Sequence, residues 1–147
     1  VTATAHCTFV DNLRRGADKA RDSGVTLVIE PLNTRSAPGY FLTHAQQAVD
    51  IIGEVDRPNV KLLFDVFHLQ IMDGDIIARL EKLLPLIGHV QIAAVPSRAE
   101  PDEGEINYRA VFDTLERIGY DGVVGAEYLP RASTMEGLIW RQRLGVA

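Results

Sequence analysis

The sequence predicts an α/β protein, a parallel (β/α) repeat amounting to half of a TIM-like (β/α)8 barrel. It is read as one domain over residues 1–147, with four strands and about five helices. Three observations carry this prediction. Four apolar runs, Val25–Glu30, Val60–Asp65, Gly88–Ala94 and Gly122–Tyr128, each hold one oxygen-bearing side chain near the carboxyl end: Glu30, Asp65, Gln91 and Glu127. Those side chains are 35, 26 and 36 residues apart (30 to 65, 65 to 91, 91 to 127), and each gap accommodates a crossover helix and a return strand. Finally, the chain has no G-x-G-x-x-G or P-loop of the kind expected in an open doubly wound sheet, and 147 residues is roughly half of the about 250 that a closed barrel needs.

The elements follow in order. Residues 1–8 are small and polar and read as a strand end or a loop. Phe9–Ser23 reads as a helix with Phe9, Val10, Leu13, Ala17 and Ala20 on one face, and Gly24 stops it. Val25–Glu30 is the first strand, closed by Pro31, which cannot donate to a ladder. Asn33–Leu42 is a loop, marked most sharply by Pro38-Gly39. Thr43 is the expected N-cap of a helix His44–Val55. The second strand ends at Asp65 and is followed by a connection carrying His68. A helix over Asp75–Leu84 is broken by Pro85, and Gly88 opens the third strand. Pro96–Tyr108 is a polar loop too long for a plain connector, which marks it as a lid or substrate loop; its one cation is Arg98. A helix Tyr108–Ile118, the fourth strand and a helix Thr134–Leu144 complete the chain.

Parallel strands bring Glu30, Asp65, Gln91 and Glu127 to one end of the sheet, where α/β enzymes place their chemistry. Two Glu, one Asp and one amide oxygen form a hard-oxygen set suited to Mg²⁺ or Mn²⁺. The plain alternative is that each carboxylate only marks where a strand meets water. His68, just past a strand end, is either a satisfied structural group or part of the site. Arg98 either holds a substrate oxygen or carboxylate, or is an exposed partner of Glu100.

Composition narrows the function. With 46% hydrophobic and 24% charged residues the chain can bury a core. A net charge of −5 without a basic run argues against nucleic-acid binding, and so against a metal-dependent endonuclease. No apolar stretch approaches the roughly 18 residues of a membrane span. The start Val1–Cys7 has neither a basic nor an apolar leader segment, and the single cysteine, Cys7, fits a reducing cytosol, so a cytoplasmic location is expected.

Several stretches together resemble the hydroxypyruvate isomerases and 2-oxo-tetronate isomerases, which are xylose-isomerase-like TIM barrels. They are Ile29–Arg35 with Pro38–Leu42, Phe64-Asp65 with His68-Leu69-Gln70, Gly88–Ala93, Gly104–Tyr108, and Gly119–Gly122 leading to Glu127-Tyr128. The resemblance covers nearly the whole chain. It implies that residues 1–147 are the C-terminal half of the barrel, strands five to eight. It implies metal ligation by Glu30, Asp65, Gln91 and Glu127, acid/base roles for Glu30 and Glu127, and substrate contacts from His68, Arg98 and Asn33. The chain departs from the family at Ala94, usually Asp, and at Ser97 and Ala99, usually Gly and His, so its substrate loop is altered.

The expected activity is a metal-dependent isomerisation of a small 2-oxo or hydroxy-aldehyde acid, by proton transfer between two glutamates. Ketose 3-epimerisation with the same glutamates is one alternative. An inactive structural half-barrel, suggested by Ala94 and Ala99, is the other. A half-barrel has two open edges and an apolar inner face, so pairing with a second copy or with an N-terminal half is expected.

Overall fold

The computed structural model describes residues 3–146. Its elements are α1 (Ala3–Arg21), β1 (Leu27–Ile29), α2 (Ala45–Val55), β2 (Val60–Asp65), α3 (Val66–Met72), α4 (Ile76–Leu83), β3 (Ile87–Ile92), α5 (Tyr108–Arg117), β4 (Val124–Ala126), α6 (Thr134–Gly137) and α7 (Ile139–Leu144). A short 3₁₀ turn, Leu84–Leu86, holds Pro85 between α4 and β3. The four strands are parallel and run in the order β1-β2-β3-β4. A doubly wound sheet reverses its strand order; this one advances by one neighbour at each crossover, as a barrel wall does.

The core lies on the face of the sheet that the helices cover. Val60, Leu62 and Phe64 of β2 and Val90 and Ile92 of β3 are buried there against Ala48, Ile51, Val55, Leu80, Val111 and Leu115 from the helices. The alternate residues Val28, Lys61, Leu63 and His89 are only partly buried or exposed, and they line the inner face of the wall.

The register between β2 and β3 is broken. Leu62 stands opposite Ile87, but Leu63 stands opposite His89, so Gly88 is the extra residue on β3. The slip sets Asp65 beside Gln91. Continued in its first register, the ladder would have placed Asp65 beside Val90 and turned Gln91 out of step with it. Gly88 is required at this point, because a Cβ there would lie 2.7 Å from Lys61 Cβ and 3.0 Å from Val28 Cγ1.

Four expectations are corrected. Residues 3–8 are the first turns of α1 rather than a strand end or loop; most of them are exposed and carry no apolar stripe for a periodicity to register. Val1 and Thr2 of that stretch lie outside the described residues. The segment after Asp65 is helix α3, whose first four residues are all buried, so no polar face marks it. The N-cap position of α2 is His44, not Thr43. The Thr43 N–H is instead taken by Gln47 Oε1 at 3.1 Å, and Asp73 Oδ2 accepts from the Ala45 N–H at 2.8 Å. The C-terminal helix is two short ones, α6 and α7, that meet at Leu138. Strands β1 and β4 are also shorter than their apolar runs, since each has a neighbour on one side only.

Two glycines test this packing in opposite directions. Gly88→Ala should lower the unfolding free energy by about 1–3 kcal/mol, the usual range for overpacking. Gly53→Ala, inside α2 with nothing within 4 Å of an added Cβ, should raise it by up to about 1 kcal/mol. Urea unfolding of the two variants checks both signs.

Candidate active site

The carboxyl ends of the strands deliver the site. Glu30 follows β1, Asp65 ends β2, Gln91 is the penultimate residue of β3, and Glu127 follows β4. Asp65 is almost wholly buried and does two jobs. Its Oδ1 accepts the Phe67 N–H at 2.8 Å, which caps α3, while Oδ2 lies 3.8 Å from His68 Nε2. Because α3 starts at once, His68 falls one turn further on, facing the same carboxylate. Glu30 Oε1 lies 3.9 Å from His68 Nε2. A carboxylate oxygen of Glu30, one of Asp65 and a ring nitrogen of His68 all lie within 4.8 Å of one another.

Hydrogen bonding fixes the form of His68. Asn33 Oδ1 accepts the N–H groups of Arg35 at 3.0 Å and Ser36 at 2.8 Å, so the other end of that amide is its NH₂. The NH₂ donates to His68 Nδ1 at 2.7 Å, and the Asn33 backbone N–H donates to the same nitrogen at 2.9 Å. Nδ1 is therefore an acceptor and the ring proton sits on Nε2, pointing to the carboxylates. Burial, and then the Arg98 charge, push His68 down to about 4 against the pull of Glu127, so the ring is neutral. A neutral ring with Nε2–H is a hydrogen-bond donor to this site and has no lone pair left for a metal.

The two carboxylates crowd each other. Burial first, and then the charges of Asp65 and Glu127, push Glu30 up to about 7 against Arg98. Burial also raises Asp65, to about 6, against the Phe67 N–H and Arg98. Glu30 Oε1 and Gln91 Oε1 are buried and have no hydrogen-bond donor. Two raised carboxyl groups, one of them with an orphaned oxygen, and the orphaned amide oxygen of Gln91 form a donor set that a hard divalent cation would satisfy. Glu30, Asp65 and Gln91 fit that purpose.

A pocket of about 260 Å³ opens above them, lined by Glu30, Leu32, Ser36, Ala37, His68, Arg98 and Glu127. The Glu127 carboxylate is half-exposed and turned to Arg98, whose Nη2 donates to it at 2.7 Å. The Arg98 guanidinium also lies over the Phe67 ring, 5.1 Å from its centre. The structure thus gathers Glu30, Asp65 and His68 tightly, sets Gln91 beside Asp65, and places Glu127 and Arg98 across the pocket.

Two residues depart from expectation. Asn33 is fully buried and does not line the pocket; it sets the His68 ring instead. The salt-bridge partner of Arg98 is Glu127 rather than Glu100, which is taken by Arg131. Phe67, Ser36 and Arg131 were not singled out in the sequence. An apolar residue two past a strand-end Asp is the only cue for Phe67, and none of the three stands out from its neighbours in type.

Comparison with known proteins identifies the family of this fold. Residues 3–144 match the family model described as the xylose isomerase-like TIM barrel. A 2-oxo-tetronate isomerase of Cupriavidus necator is 46% identical over 138 residues, covering 94% of this chain and 53% of that one. A Homo sapiens protein provisionally named a hydroxypyruvate isomerase is 46% identical over 142 residues, 95% of this chain and 51% of that one. The crystal structure of an AP endonuclease, family 2, from Brucella melitensis superposes with a TM-score of 0.91 at 50% identity, over 94% of this chain and 54% of that one. A D-psicose 3-epimerase from Clostridium cellulolyticum, solved with D-tagatose, superposes with a TM-score of 0.74 at 30% identity, over 90% and 45%. The chain spans about half the length of the curated relatives it matches. The four-stranded wall, the acids at its carboxyl ends and the match over residues 3–144 lead to one assignment: the chain belongs to the xylose isomerase-like TIM barrel family.

Proposed function

We propose that this chain carries the metal-binding and proton-transfer half of an isomerase acting on a small 2-oxo or hydroxy-aldehyde acid, of the hydroxypyruvate to tartronate semialdehyde type. The observation that carries this reading is the partly buried Glu30, with an orphaned oxygen of its own and that of Gln91 close by, sharing one small pocket with Glu127. Glu30, Asp65 and Gln91 would hold Mg²⁺ or Mn²⁺, and Glu127 would join them on turning from Arg98. The ion, when bound, supplies electrophilic stabilisation to adjacent substrate oxygens.

The residues of the chain do the rest. The Glu30 carboxylate, partly buried at the pocket wall and facing Glu127 across it, is placed to take a proton from a C–H bond next to a carbonyl. Glu127 serves the neighbouring carbon. The Nε2–H of His68 donates to a substrate oxygen, and Arg98 takes up negative charge on the substrate once it leaves Glu127. Leu32 gives the pocket an apolar wall, and the Phe67 ring backs the Arg98 guanidinium. A pocket of about 260 Å³ suits a substrate of few heavy atoms.

Ketose 3-epimerisation is the second reading, favoured by the likeness to the D-psicose 3-epimerase; it uses the same two carboxylates. The name of the Brucella structure does not carry over: a net charge of −5 opposes a DNA phosphate backbone. Among the described residues no helix is long and apolar enough to cross a membrane. The single cysteine is exposed and fits a reducing, cytoplasmic setting. The open edges of β1 and β4 would be covered by a preceding half-barrel or by a second copy of this chain, and sedimentation as a clean monomer would speak against the second copy.

Turnover tests the reading directly. With Mn²⁺ present, hydroxypyruvate should give tartronate semialdehyde, and Glu30→Gln and Glu127→Gln should each lower kcat by about 10²–10⁴-fold. Loss of neither activity nor product identity in both variants overturns the assignment, and epimerisation of D-fructose without action on hydroxypyruvate favours the second reading. Cation binding adds a pH test. Because Glu30 and Asp65 are raised to about 7 and about 6, they hold protons that a cation must displace below those values. Mn²⁺ affinity should therefore climb from pH 5 to pH 8 and level off above, with proton release in calorimetry; a flat profile would contradict it.

A further inference from the structure

The loop from Pro96 to Glu105 brings Arg98 to the pocket, and its hold on that position comes from outside the pocket. Arg98 adopts a left-handed backbone conformation, φ 56°, which a non-glycine residue keeps only when its surroundings impose it. Its N–H donates to the Ala94 carbonyl at 2.8 Å, and its own carbonyl accepts the Leu129 N–H at 2.8 Å. The loop and the chain just past Glu127 are therefore bonded side by side.

Two residues beyond Arg98 stands Glu100, a carboxylate only 2% exposed. Apart from its own backbone N–H, its partners come from Arg131, four residues beyond Glu127. The Arg131 N–H donates to Oε1 at 3.2 Å and its Nε donates to Oε2 at 2.8 Å. The same guanidinium reaches two further loop acids, Asp102 at 3.3 Å and Glu103. Gly137 of α6 closes the remaining side, where an added Cβ would sit 2.5 Å from Glu100 Oε1. Three acids of one loop thus converge on one arginine of the segment that carries Glu127. Arg143 reaches this set through Asp102 alone, at 2.6 Å, and does not touch Glu100.

We propose that Arg131 is a positioning residue: through Glu100 it locks the 96–105 loop to the segment after β4 and so holds Arg98 and Glu127 against each other across the pocket. Removing Arg131 leaves the buried Glu100 carboxylate without a cation while Asp102 keeps Arg143 and Glu103 keeps Ser97, and a buried charge without a counter-ion is costly enough that the loop opens to water. Lysine does not replace it. A single ammonium cannot serve both Glu100 oxygens and the two neighbouring acids, whereas the fork of a guanidinium can. The inference rests on the reading of Arg98 and Glu127 as substrate-facing groups, but its test does not depend on turnover.

The test is the side-chain Nε–H resonance of Arg98 in the ¹⁵N-arginine-labelled chain, assigned with Arg98→Lys and recorded without metal or substrate. In the wild type it should be dispersed and as rigid as the backbone. In Arg131→Lys and Arg131→Ala it should move to the free-arginine position and lose its heteronuclear NOE, while the amides of β2 and β3 keep their shifts. Arg143→Ala should leave it unchanged. Arg98 remaining ordered in the Arg131 variants overturns the proposal, as does equal release in Arg143→Ala. Collapse of the β2 and β3 amides in Arg131→Lys also overturns it, because Arg131 would then support the whole fold. A failed isomerase assay with these outcomes intact would count against the proposed reaction and leave the clamp standing.

Discussion

The site depends on one irregularity in the sheet, the extra residue at Gly88. Parallel strands set neighbouring side chains in rows, and a shift of one residue moves a side chain to the other face. By slipping between Leu62 and Leu63, the ladder puts Asp65 and Gln91 in one row at the carboxyl end. The slip requires the β3 backbone to approach Lys61 and Val28 more closely than any side chain permits, and glycine supplies that room. The packing of two strands thus decides which oxygens become neighbours.

Electrostatics follows from that row. Asp65 and Glu30 share a partly dry space; burial raises both, and the Asp65 charge raises Glu30 further. A protonated histidine would be the simplest way to relieve two crowded carboxylates. The fold forbids it by burying His68 and giving its Nδ1 two donors from Asn33. The charge demand stays unmet by the protein, and that unmet demand is what suits the site to a cation. Arg98 lies close enough to oppose the rise of both inner acids, but it pairs directly only with the outer one, Glu127.

Much of this was legible in the chain. Apolar runs ending in Glu30, Asp65 and Glu127, with Gln91 within a fourth, gave the parallel wall and the end where the acids meet, because strand burial and strand ends leave a direct mark on residue type. Helix α3 left no such mark: Val66, Phe67, His68 and Leu69 are all buried, and a helix buried all round has no amphipathic period. Asn33 read as a substrate contact by resemblance, yet it works one layer back, since an amide at a strand end looks the same whether it faces a ligand or a histidine. The partner of Glu100 was equally hidden. Glu100 and Arg131 are 31 residues apart, joined only by the return of the chain through β4.

Glu30 and Glu127 stand just past β1 and β4, the two outermost strands of the four-stranded wall. They mark the ends of an arc, and the space between them is its chord. No ladder bond joins β1 to β4, so the curvature of the wall sets that chord. Curvature in turn is set by the helices wedged behind the strands, through residues such as Leu80 and Leu115 that never face the pocket. A change of volume in that outer layer would act on the span between the two acids as tightening or slackening a bow acts on its string, far from the chemistry and without touching either group.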